Sequence, residues 1–233
     1  MLPAYAELHC VSNFSFLRGA SHPEELVERA LVLDYAGLAL TDECSFAGSV
    51  RAHLALEALR EDDAAARDFR LIHGTEIALA DGPKLVLLAA SRAGYGNLSQ
   101  LVTLARRQAP KGSYRLTRAD IESHAPLLAD CLALLVPAPD AALARAEARW
   151  LANLLPRRAW IACELLRGPD DAAWLSALQA ISRDSGLPLV AAGDVHMHVR
   201  RRKRLQDVLT AIRHRLPLDR CGTRLHPNAE RYL

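Results

Sequence analysis

The chain has 233 residues, of which 51% are hydrophobic, and a formal net charge of +2 at pH 7. That is enough apolar material for one large domain or two small ones, and the balanced charge excludes a global field for nucleic acid, so any such contact must be local. Five scattered cysteines without CxxC spacing (Cys10, Cys44, Cys131, Cys163 and Cys221) argue for reduced thiols in a cytoplasmic protein rather than a disulfide framework.

The opening MLPAYAELHC has no basic stretch followed by an apolar one, so no signal peptide is expected. No apolar run approaches the roughly 18 residues a membrane span needs. Tyr5–His9 reads as a short strand. Ser21-His-Pro-Glu-Glu25 reads as a helix start, with Ser21 as N-cap, acidic residues in the first turn, and Leu26, Ala30 and Leu33 on one face. Gly37–Thr41 is a second buried strand, followed by a helix from about Phe46 to Arg60. Residues 60–68, charged and alanine-rich, read as a solvated helix end. Strands follow at Arg70–Glu76 and Lys84–Ala90, the second wholly apolar after its lysine, as a buried parallel strand would be. Helices at about Ala93–Arg107 and Thr117–Ser123 precede strands at Cys131–Val136, Trp160–Leu165 and Leu187–Ala192. Between these three strands lie helices at about Ala141–Leu155 and Asp170–Ser185, and a last helix spans about Arg201 to Arg213.

This alternation predicts an α/β fold with a parallel sheet and crossover helices, either a closed barrel or an open doubly wound sheet. The lack of a Gly-rich phosphate loop after the first strand disfavours a nucleotide-binding open sheet. In a parallel barrel the active site lies at the C-terminal strand ends. His9 ends the first strand, Asp42 the second, and Glu76 (in HGTE) the third, while Asp194 and His196 (in GDVH) follow the last. All are ligand types for zinc, manganese or iron. Singly each has a plainer reading: a hydrogen-bonded histidine, a helix N-cap for Asp42, an arginine partner for Glu76. Together, buried at one rim, they would need a cation or a hydrogen-bond network.

The order LH-x-x-S, LTD, HGTE, KLVLLA and DVH resembles the PHP (polymerase and histidinol phosphatase) family. The stretches AELHCVSNFSFLRGASHPEELV and GDVHMHVRRRKRLQDVLTAIRHR are similar, in particular, to the N-terminal PHP domain of bacterial error-prone, C-family DNA polymerases. The resemblance implies a distorted (β/α)7 barrel with up to three metals, Zn2+ or Mn2+ among them, at the strand ends. It also implies phosphoester hydrolysis where the site is active, including 3′–5′ exonuclease proofreading in some replicative polymerases. His9, Asp42, Glu76, Asp194 and His196 match the family's ligand positions. The departures are Val11 for the second histidine of His-x-His, Glu43 for the histidine of Asp-His, and Lys84 where a ligand histidine often opens the strand. Val136-Pro-Ala138 stands where a Ser-Gly-Cys-like turn can supply another ligand.

Valine cannot ligate, and an ammonium among ligands repels a cation and can take its place. The expected site is therefore a remnant in which Lys84 pairs with Glu43, Glu76 or Asp42, holding no metal or a partial complement. The alternative keeps at least one metal on His9, Glu76, Asp194 and His196. Arg200, Arg201, Arg202, Lys203 and Arg204 form a basic run, read either as a solvated helix start or as a contact for DNA phosphate or an acidic partner. His198 is expected to be exposed, His73 to support the site without ligating, and Cys10 and Cys44 to pack.

Residues 1–215 are expected to form the PHP-like domain and 216–233 a tail leading to a polymerase region. The function implied is the N-terminal PHP domain of an error-prone, translesion DNA polymerase, structural and with a degraded metal site; the alternative is an active metal-dependent phosphoesterase or 3′–5′ exonuclease. The expected partners are the rest of the polymerase chain, DNA through the full-length protein, and other translesion-synthesis proteins. No membrane is expected, and Mg2+ belongs only to the polymerase palm, which these residues do not contain.

Overall fold

The structure, a computed structural model, describes residues 4–62 and 64–233; position 63 of the expected solvated helix end lies outside them. The chain divides into two compact units, Met1–Ile72 with Gly193–Leu233, and His73–Ala192.

In the first unit, β1 (Ala6–Cys10) runs parallel to β2 (Gly37–Leu40), and the opening of β3 (Arg70–Ala78) lies on the far side of β2. The other edge of β1 is taken by the GDVH segment: Val195 donates to the His9 carbonyl and accepts from Val11, both at 2.8 Å. Helices α1 (Pro23–Val32) and α2 (Ser49–Asp62) pack on each other, and α3 (Ala64–Asp68) follows α2. Leu26, Val27 and Ala30 of α1 bury one face against Leu38, Leu40, Leu56 and Phe69. Each large side chain sealed there contributes about 1.5–3 kcal/mol relative to exposure. α1 begins one residue later than its sequence suggests. His22 is the N-cap, its amide donating to Glu25 Oε2 at 2.9 Å, and Pro23 opens the helix. Ser21 is diverted, because its hydroxyl meets both the amide (2.8 Å) and Nδ1 (2.7 Å) of His198. His198 is accordingly half-buried rather than exposed.

The final residues belong to this unit. Helix α8 (Lys203–His214), entered through a 3-10 turn at Arg200–Arg202, is followed by two short 3-10 turns and then an extended stretch. That stretch pairs with the GDVH segment: His196 donates to the Arg231 carbonyl at 3.0 Å and Leu233 to the Met197 carbonyl at 3.3 Å. Leu233 is buried in the apolar cluster of the unit.

In the second unit β3 to β7 lie side by side in chain order, with β4 (Lys84–Ala89), β5 (Cys131–Val136), β6 (Ala159–Cys163) and β7 (Leu189–Ala191). β5, β6 and β7 are parallel, but β4 is antiparallel to both β3 and β5. The all-parallel expectation fails at this one strand, because the Leu79–Pro83 turn is far too short for the crossover that parallel neighbours require. Helices α4 (Arg92–Arg107), α6 (Ala141–Leu154) and α7 (Asp171–Ser185) cover this sheet, and α5 (Arg118–Ser123) sits on the path to β5. Gly186, at φ 77°, supplies the left-handed residue that ends α7.

Candidate functional site

In the first unit, β1 and the GDVH segment bring three of the singled-out residues together. His9 is fully buried, with Nε2 3.9 Å from Asp194 Oδ1, and His196 Nε2 lies 3.0 Å from the same oxygen. The other oxygen, Asp194 Oδ2, accepts from Arg231 Nε at 2.7 Å. Asp194 adopts the left-handed region at φ 44°. That conformation costs an L-residue about 1–2 kcal/mol, though aspartate tolerates it better than most. It is held there because its neighbours are pinned: Val195 is bonded to β1, and the Gly193 amide donates to Glu7 Oε1 at 2.9 Å.

Burial alone would push the Asp194 carboxyl up, but the His196 imidazole, His9 and Arg231 around it hold it well below the usual carboxylate range. His196 has its own support from α8, where the Gln206 side-chain amide meets Nδ1 at 2.8 Å. Burial holds His196 below the ordinary histidine pKa, in keeping with a neutral ring. His226 stacks edge-on to it at 5.3 Å and is itself pushed down to about 3, chiefly by burial.

Asp42, also in the first unit, is buried beneath the loop that follows β1. Oδ1 accepts from the Ser12 amide (2.8 Å) and the Ser15 hydroxyl (2.7 Å), and Oδ2 accepts from the Ser12 hydroxyl (2.8 Å). Burial pushes its carboxyl up against those Ser15 and Ser12 donors. It is not the cap of α2, which begins at Ser49; it fastens the loop to the end of β2. Gly48 matters to this arrangement, since a Cβ there would come within 2.6 Å of Asp42 Oδ2. Glu43 turns to Arg18 at 2.8 Å, and Val11 is buried and apolar. Cys10 and Cys44 are buried, as packing residues would be.

In the second unit Glu76 is buried on β3, and Lys84 reaches it from the antiparallel β4 with Nζ 3.3 Å from Oε2. The register sets Glu76 opposite Val86 and Ala78 opposite Lys84, so the two residues sit diagonally across the hairpin. His73, on the same strand, faces Tyr95 edge-on at 5.7 Å.

The basic run is largely consumed internally. Arg200 pairs with Glu230 at 2.6 Å and lies over the Tyr232 ring at 5.0 Å, while Arg202 pairs with Glu25 and Lys203 with Asp207. Arg201 and Arg204 are exposed.

Three residues of this arrangement carried no signal strong enough to be picked out in the sequence. Glu7 accepts from Tyr5 Oη, the His9 amide and the Gly193 amide. Its spacing of two from His9 on one strand was a usable clue, because such residues share a face. Gln206 and Arg231 offered none: each looks like any polar residue of a helix or tail.

The family described as PHP domain matches residues 7–161. The chain belongs to the PHP domain family. This PHP domain is 55% identical, over 99% of its length, to the error-prone DNA polymerase of Azoarcus sp. (strain BH72), and 56% identical, over 100%, to that of Dechloromonas aromatica (strain RCB). It spans only 23% and 22% of those two proteins. Among solved structures it shares the fold of a metal-dependent phosphoesterase from Bifidobacterium adolescentis, with TM-score 0.55 and 16% identity over 84% of this chain and 89% of that one. A lesion-specific endonuclease from Pyrococcus furiosus is similar at TM-score 0.52 and 13% identity, over 83% of this chain and 48% of that one. The α/β class with a mostly parallel seven-stranded sheet agrees with the sequence expectation.

Proposed function

We propose that this PHP domain is the N-terminal part of an error-prone, translesion DNA polymerase of the cytoplasm, and that it serves that polymerase structurally without hydrolysing phosphoesters itself. The observation that carries the reading is the pairing of carboxylates with fixed cations: Asp194 with Arg231 and Glu76 with Lys84. Family-type metals need carboxylate oxygens, and a cation already paired with each carboxylate competes with a metal for them. Asp42 is engaged as well, by its donors from Ser12 and Ser15. On this reading His9, Asp42, Glu76, Asp194 and His196 take no part in hydrolysis. Polymerisation, with its Mg2+, belongs to the larger part of the relatives' length that this chain does not span. Partners on this reading are the rest of the polymerase, DNA through it, and other translesion-synthesis proteins. Arg201 and Arg204 are the members of the basic run open to a phosphate or acidic surface.

A second reading, a phosphoesterase or 3′–5′ exonuclease with one retained Zn2+ or Mn2+, draws on the closeness of His9 to Asp194. Elemental analysis of protein purified without chelator, beside the Glu76→Ala, Asp194→Ala double variant, separates the two. Substoichiometric metal unchanged in the variant supports the structural reading. About one equivalent lost in the variant supports the hydrolase.

A further inference from the structure

Resting on the reading that the family's metal chemistry is lost here, we infer that the guanidinium of Arg231 is a built-in replacement for a divalent cation at Asp194, delivered by the strap Glu230–Leu233. Arg231 Nε lies 2.7 Å from Asp194 Oδ2, and both side chains are largely buried. Asp194 Oδ1 meanwhile faces His196 and His9. The three side chains that would be left around a cation are thus two imidazoles and a carboxylate, a donor set suited to zinc or manganese. Arg231 sits on the other oxygen, Oδ2, where its permanent positive charge already neutralises the carboxylate that such an ion would need.

A surface arginine that merely swung inward would be held by its charge alone. Arg231 is held by its backbone. Its carbonyl accepts from the amides of His196 (3.0 Å) and Met197 (3.2 Å), and Tyr232 bridges Met197 in parallel fashion. On either side of Arg231 the strap is clamped by Arg200, which pairs with Glu230 at 2.6 Å and covers the Tyr232 ring at 5.0 Å. Leu233 then anchors in the apolar cluster with Leu26, Val27 and Val195. The same segment that supplies the charge is therefore zipped to the segment that supplies Asp194 and His196. An entering dication would have to share Asp194 with a guanidinium whose main chain has nowhere to go. Arg200, which in sequence looked like a nucleic-acid contact, acts as the clamp of this strap.

The test is zinc and manganese titration calorimetry on the parent protein and on Arg231→Gln, Arg231→Lys and the Arg231→Gln, Asp194→Asn pair. Arg231→Gln should gain about one equivalent of zinc, with affinity raised about tenfold or more. Arg231→Lys, which keeps the charge, should stay close to the parent, and the pair should lose the gained site. A folded Arg231→Gln that binds no more zinc than the parent overturns the inference while leaving the polymerase reading intact. A parent that already binds an equivalent as tightly as Arg231→Gln overturns both.

Should Arg231→Gln be too unstable to titrate, its thermal midpoint decides. If Arg231 is the counter-charge, adding Asp194→Asn should restore most of the lost midpoint, because an unpaired buried carboxylate is worse than none. Additive losses from the two substitutions would refute it.

Discussion

Glu7 on β1 accepts a hydrogen bond from the main-chain amide of Gly193, 186 positions away, at 2.9 Å. Together with the His9 amide bond at 2.8 Å to the same oxygen, this fastens the GDVH segment beside the first strand and sets where Asp194 and His196 begin. A Cβ on Gly193 would lie 2.6 Å from Glu7 Oε2. Gly193→Ala should therefore cost about 1–3 kcal/mol by overpacking, measured by urea unfolding. A loss below about 0.5 kcal/mol would mean that the carboxylate has room to retreat and is not the fastening it looks like.

Glu7 also predicts a pH dependence. Its burial raises its carboxyl above the usual glutamate range, against the donors on it. A raised carboxyl binds a proton in the folded state that the unfolded chain has already released. Its contribution to stability is thus complete below about pH 4.3, the unfolded value, and is lost as pH rises through the folded one. Glu7→Gln, which cannot ionise, should flatten that part of the stability profile. An unchanged slope would mean that Glu7 titrates as an ordinary glutamate.

Asp42 is expected to act in stability alone. Asp42→Ala strips the acceptor from the Ser12 amide and from the Ser12 and Ser15 hydroxyls. Leaving buried donors unsatisfied costs about 1–3 kcal/mol each at most, and relaxation of the two hydroxyls should bring the total to about 2–4 kcal/mol. Thermal melts with and without a chelator should give the same loss. A chelator effect that vanishes in Asp42→Ala would instead make it a ligand.

For the hairpin pair, Lys84→Met leaves Glu76 buried without its ammonium. A loss of about 1–3 kcal/mol is expected, and Lys84→Met with Glu76→Gln should recover much of it, since removing both charges removes the need for pairing. A double variant as unstable as the sum of the single ones would show that the two residues act separately.

Within the basic run the expected effects divide by exposure. Arg200→Ala and Arg202→Ala lose the bonds to Glu230 and Glu25 and should lower stability by about 0.5–1.5 kcal/mol, read in the same melts. Arg201→Glu and Arg204→Glu should leave stability within about 0.5 kcal/mol. If these two meet phosphate in the full-length polymerase, each loss should reduce the salt slope of DNA binding by about one. An unchanged slope would remove them as contacts.

The sequence by itself determined the element order, because alternating apolar runs and amphipathic stretches with caps are local signals. KLVLLA and CLALLV read as strands from their apolar runs, while Thr117 and Asp140 emerge as the helix caps in the structure. It also identified His9, Asp42, Glu76, Asp194 and His196 as residues demanding partners, since a buried charge or imidazole has to be satisfied wherever it lies. What satisfies each of them was decided only by tertiary structure. Nothing local marks Arg231 as the partner of Asp194, or Ser12 and Ser15 as the donors to Asp42, because those pairings span 37, 30 and 27 positions and exist only once the chain has closed on itself. The direction of β4 is a different case: an apolar run reads the same whichever way it lies in a sheet, but the short stretch between Glu76 and Lys84, too tight for a crossover, already marks it antiparallel in the sequence, as the structure has it.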